Sequence, residues 1–111
     1  MSDIEYNENR VQIENQTISL PDKIGNAIEH EDTLVLILEP FGEAAPQNIV
    51  AYDRSGTKLW DIETTPADDG KSSPYTGIKK VDNRVIAFVY NSRRYEVDTQ
   101  TGEIEDIGFY K

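Results

Sequence analysis

Asn48-Ile49-Val50-Ala51-Tyr52-Asp53-Arg54-Ser55-Gly56-Thr57-Lys58-Leu59-Trp60-Asp61-Ile62-Glu63 reads as a strand, a tight turn and a second strand. An apolar run ends on Asp53, whose carboxylate can accept the amides of the turn that follows. Gly56 can take the left-handed conformation without a Cβ penalty, and the closing segment carries the only tryptophan, Trp60. An echo returns as Tyr95-Glu96-Val97-Asp98-Thr99-Gln100-Thr101-Gly102-Glu103-Ile104. It has the same Asp and Gly but no Trp, which makes those two turn residues architectural.

The echo extends upstream. Residues 28–62 and 78–104 each begin with isoleucine (Ile28, Ile78) and reach Asp four positions later (Asp32, Asp82). Each then enters an apolar strand (34–38, 85–90) and a strand ending in Asp (Asp53, Asp98), followed by a glycine turn and a closing strand. One three- to four-stranded unit therefore occurs twice. Within the first copy Leu34, Leu36 and Leu38 alternate with Val35 and Ile37, so this strand is apolar on both faces and belongs in the middle of a packed structure.

The rest of the chain reads as short strands and turns. Residues 1–9 are polar and flexible, though Ile4 and Tyr6 would suit a strand. Val11 and Ile13, then Ile18 and Leu20, keep the period of two on either side of a turn at Asn15-Gln16, a hairpin that Pro21 ends. Residues 23–31 read as an extended segment or a single turn, because Ile24 and Ile28 are four apart while Gly25 and the short length oppose a helix. Loops at 40–47 and 64–74 interrupt the first unit and join it to the second. Strands resume at 75–81, 84–91, 93–98 and 103–110. The expected fold is all-β in one domain over 1–111, with two antiparallel meander units packed as a twisted sandwich or partial barrel.

The pattern of Asn48 to Asp53, Gly56 and Leu59-Trp60, with its partner Tyr95 to Asp98 and Thr101-Gly102, resembles the blade signature of quinoprotein-type β-propeller repeats. The resemblance implies that Asp and Gly shape the turn and that the Trp packs between blades. It does not imply a quinone. A propeller closes with about four to eight blades, and this chain has material for two, so a closed single-chain propeller is excluded by length. Over its whole length the chain resembles a group of small uncharacterised prokaryotic proteins. The residues carrying that likeness are Leu20-Pro21, the Asn48 to Asp53 unit, Ser73-Pro74-Tyr75-Thr76-Gly77 and the Tyr95 to Ile104 motif. It implies no activity.

Composition narrows the function. Twenty-one acidic residues against eleven basic ones give a net charge of −10. A field of that sign repels phosphate backbones and anionic lipid, which argues against nucleic-acid and membrane partners. The acids are scattered through the chain, as on a solvated surface. No apolar run approaches the roughly 18 residues of a membrane span. The start of the chain lacks the features of a signal peptide, and there is no cysteine, so the expected location is cytoplasmic.

Catalytic chemistry finds little footing. His30, the only histidine, lies in Glu29-His30-Glu31-Asp32 and reads as a surface residue. Asp68-Asp69-Gly70 starts like a calcium loop but lacks the further alternating oxygen ligands. The serines stand in turns without a nucleophile elbow, and the glycines are single. No cofactor and no metal are expected. Among the aromatics, Tyr52, Trp60, Phe88 and Tyr95 read as core, while Phe41 lies in the first long loop and Tyr75 just after the second. The reading is a non-catalytic binding or protein-interaction domain for an unknown protein or small ligand, with a loop site made of Phe41, Asp68, Asp69, Tyr75 and Thr76. Three rivals stand beside it: an acidic immunity- or inhibitor-type protein that sequesters a basic partner, a module that self-associates through its sheet edges, and a small hydrolase.

Overall fold

Strand β5 (Thr33–Leu38) is buried on both faces and is the centre of the molecule. Leu34, Leu36 and Leu38 enter one core with Val11, Ile13, Leu20 and Ile24. Val35 and Ile37 enter the other with Tyr75, Ile78, Val85, Ala87 and Val89. Alternation at period two sends successive side chains to opposite faces, so a strand apolar at every position needs a layer on each side.

The computed structural model describes residues 4–65, 73–90 and 93–109. Among them there is no helix, and eleven strands form three antiparallel sheets. The first sheet is β1 (Ile4–Asn7), β2 (Arg10–Ile13) and β3 (Gln16–Ser19), paired in that order. The second is β4 (Ile24–His30), β5, β6 (Ile49–Asp53) and β7 (Lys58–Asp61). The third is β8 (Tyr75–Val81), β9 (Arg84–Val89), β10 (Arg93–Val97) and β11 (Ile104–Phe109). The second and third sheets are the two expected meander units, packed face to face as a sandwich. The amino-terminal sheet covers the opposite face of the second with Val11 and Ile13, giving three layers. Ile4 and Tyr6 do form a strand, and the segment from residue 23 to 31 is a seven-residue strand and not a turn. Its partner β5 supplies the ladder that the isolated segment could not.

Ladder registers refine the repeat. His30 pairs with Thr33 across the turn at Glu31-Asp32, and Val81 pairs with Arg84 across Asp82-Asn83. Both β4 and β8 carry a bulge at the same place, between Ile24 and Asn26 and between Tyr75 and Gly77. Ile24 therefore corresponds to Tyr75, and Ile78 corresponds to Ala27 and not to Ile28. The aspartates of the two turns suggested an alignment one residue off, and a one-residue slip turns every side chain to the other face. In the corrected register Asp53 still matches Asp98, since they stand opposite Thr33 and next after Val97 in equivalent ladders.

This register accounts for the missing second tryptophan. Trp60 lies over the turn of the following unit: its Nε1 donates to the Thr99 carbonyl at 2.9 Å, and a Cβ on Gly102 would come within 2.7 Å of its ring. The first unit faces the second with Ile28, Ile49, Ala51 and Trp60. The corresponding positions of the second unit hold Lys79, Arg94, Glu96 and Glu105. The outer face of the second unit is therefore largely charged, with Ile86 and Phe88 lying among those charges.

Candidate binding site

The tight turns and the long connections fall at opposite ends of each unit. Asp53 Oδ1 accepts the amides of Ser55 and Thr57, at 2.9 and 3.0 Å, and Asp98 Oδ1 accepts that of Gln100 at 2.9 Å. Gly56 and Gly102 sit at φ +87° and +81°. These carboxylates tie down turns. The hydrogen bonds from the Ser55 hydroxyl and the turn amides hold the Asp53 carboxyl below its ordinary pKa.

Along one side of the sandwich β4 and β8 run next to each other, and polar groups tie β8 and its turn to the first unit at both ends. At the turn end His30 Nε2 donates to the Asn83 carbonyl at 2.9 Å, while Nδ1 lies 3.3 Å from the Thr99 hydroxyl. His30 is only 8% exposed, so it is a staple between the units and not a surface residue. Its acidic neighbours in sequence had suggested exposure, but alternation along β4 turns it inward. Nearby, Lys80 Nζ donates to the Glu29 carbonyl at 3.2 Å. At the loop end Asn48, fully buried, bonds to both backbone polar groups of Tyr75 and to the Leu38 carbonyl. On the far side, Glu63 N donates to the Gly102 carbonyl at 2.9 Å, which brings the loop end of the first unit against the turn end of the second. The two sheets therefore cross at an angle.

The expected loop site is only partly assembled. Phe41 is 88% exposed. Thr76 is at the surface, its hydroxyl donating to the Phe88 carbonyl at 3.3 Å. Asp68 and Asp69 lie outside the described residues. Tyr75 has withdrawn into the core at 0% exposure, its hydroxyl donating to the Glu63 carbonyl at 2.7 Å and its ring packing edge-on to Tyr95 at 6.3 Å. Burial pushes its phenol far above the ordinary pKa, with Tyr95 and Glu63 adding to the shift.

Three contributors to this end escaped the sequence reading. Asp22 holds the 40–47 loop by accepting the amides of Glu43 and Ala44, both at 2.7 Å. Asn48 joins the loop to β8. Tyr90, at the end of β9, is 76% exposed. Asp22 follows Pro21, and its partners are more than twenty residues away, so nothing local in the sequence marks it. Tyr90 occupies the position of Glu39 in the other unit, a signal visible only in the corrected register.

Between β4 and β8 a groove of about 370 Å³ opens toward the loop end, lined by Ile24, Gly25, Leu38, Pro40, Thr76 and Ile78, among others. Its walls are largely apolar carbon. Among the described residues no group of three His, Asp or Glu is arranged to hold a metal ion. No described helix is long and apolar enough to cross a membrane.

A family model described as a domain of unknown function (DUF7957) matches residues 1–109. No curated protein matches the chain, and no solved structure does.

Proposed function

We propose that this chain, which belongs to the DUF7957 family, is a non-catalytic protein-interaction module that engages its partner through the loop end. The observation that carries this reading is the placement of Phe41 and Tyr90. Among the described residues they are the two most exposed of the large hydrophobic residues, at 88% and 76%. Both stand at the end where Asn48 joins the long loop to β8. Exposed aromatic side chains on a rigid support are common binding anchors, and Asp22 and Asn48 supply that support. The chain immobilised on beads should recover a partner from its native lysate, and the double variant Phe41→Ser, Tyr90→Ser should lose that partner while keeping its fold. Turnover of a generic hydrolase substrate, abolished by changing one loop acid, would overturn the reading.

A second reading has its own support. Glu96, Asp98, Glu103 and Glu105 line one shallow concavity on the second unit. That arrangement suits an immunity- or inhibitor-type protein that sequesters a basic partner, and such binding would weaken steeply with added salt.

The blade-like character of the two units is part of the proposal. It is supported by the shared bulge position, the matching Asp turns and the seat of Trp60 on Gly102. The absence of cysteine fits a cytoplasmic setting.

A further inference from the structure

We infer that the groove between β4 and β8 takes an extended peptide segment of the partner protein, added as a strand to the free edge of β8 at Ile78. This rests on the interaction-module reading. It also names the partner's chemistry: a backbone in strand conformation with an apolar side chain at alternate positions.

The argument starts from the turn at Asp82-Asn83. A two-residue hairpin turn is flanked by a hydrogen-bonded pair, here Val81 and Arg84. Lys79 and Gly77, opposite Ile86 and Phe88, then also face β9, and Ile78 and Lys80 present their amides and carbonyls away from it. The outward groups of Tyr75 are already paired, because the Asn48 carboxamide bonds to both, as a neighbouring strand would. Ile78 follows on the same edge, bordering the groove. Among the described residues no strand pairs with β8 on that side.

β4 is less available. Its outward groups by the same parity are Ala27 and Glu29. The Ala27 amide already donates to Asn26 Oδ1 at 2.9 Å, and the Glu29 carbonyl accepts from Lys80. The side-chain pairing at β4 and the Asn48 clamp at Tyr75 leave a short stretch of β8 as the open template. An uncovered strand edge is a ready site for strand addition, and this one borders an apolar floor of Ile24, Ile37 and Leu38. Backbone bonds give such an interaction its affinity and alternate pockets its selectivity. The groove volume of about 370 Å³ suits one or two seated side chains and not a whole folded partner.

A phage-displayed random dodecapeptide library, selected on the immobilised chain, supplies the probe. Selected peptides are resynthesised in two forms, each N-methylated at one of the two alternating sets of amides. Strand addition uses only one set, so one form should lose at least about tenfold in affinity and the other should stay within about threefold. Amide exchange at Ile78 should slow on binding. Gly25→Val should also weaken binding by filling the groove. It is expected to fold, because a Cβ there meets only Ile37, at 3.7 and 3.8 Å. Failure to select any peptide over an albumin surface overturns the inference, as does equal loss from both N-methylated forms, which marks a ligand held by its side chains alone. Perturbation confined to Phe41 and Tyr90 overturns it as well, but leaves the interaction-module reading standing. That reading falls separately, on the hydrolase assay.

Discussion

The carboxamide of Asn48 pairs with both backbone polar groups of Tyr75, Oδ1 accepting from the amide at 2.9 Å and Nδ2 donating to the carbonyl at 2.7 Å. Nδ2 also donates to the Leu38 carbonyl at 3.0 Å. One buried side chain thus stands in for a strand and ties the long loop, β5 and β8 together. Replacing it with Leu strands one amide and two carbonyls away from water. At about 1–3 kcal/mol for each unsatisfied buried group, partly relieved by relaxation, Asn48→Leu should cost about 3–5 kcal/mol in urea denaturation. A loss under about 1 kcal/mol would mean that water reaches these groups.

The two turn glycines should respond differently to Ala. At Gly102 (φ +81°) a Cβ would lie 2.7 and 2.8 Å from the Trp60 ring and 3.1 Å from the Asp61 carbonyl. At Gly56 (φ +87°) the nearest atom is the Gln16 side-chain oxygen, which can move aside. Gly56→Ala should therefore cost only the left-handed penalty, about 1–2 kcal/mol. Gly102→Ala should cost at least about 1 kcal/mol more and change the Trp60 fluorescence, because the ring must leave its seat.

Stability should fall at both extremes of pH, for opposite reasons. The Tyr75 phenol has its folded pKa raised by burial, so its contribution is complete below the ordinary tyrosine value of about 10 and is lost as pH climbs above it. Tyr52, also raised by burial, acts in the same direction. Asp53 is lowered by its turn bonds, so its contribution is present above the ordinary carboxylate value of about 4 and is lost as pH falls through the folded value. Thermal melts of Tyr75→Phe should start about 1 kcal/mol lower at neutral pH, from the lost bond to Glu63, and decline less steeply above about pH 10. Equal alkaline slopes for the two proteins would refute the assignment.

Glu31 sits at φ +57° in the turn between β4 and β5, with no hydrogen bond to its side chain among the described residues. Asparagine adopts that conformation more readily than glutamate. Glu31→Asn should raise stability by about 0.5 kcal/mol, measured as an upward shift in Tm. A downward shift would mean that the Glu31 side chain contributes a contact.

The local pieces were legible in the amino-acid sequence. The alternation from Thr33 to Leu38 called for a layer on each side of β5, because period two leaves no face free. The Asp and Gly of both turns marked the two units, since those residues bond and bend within a few positions of themselves. Tertiary structure alone decided what the distant pairings are. The register between the units followed from the ladders and not from the turn aspartates, and it set which face of the second sheet is buried. Asn48 became a clamp, Tyr75 core and His30 a staple because each has a partner 27 or more residues away that it meets only when the sheets pack. Trp60 found its seat on Gly102 for the same reason. The turn of the second unit receives the tryptophan of the first, and Phe41 and Tyr90 stay in solvent at the loop end, where none of the described residues buries them.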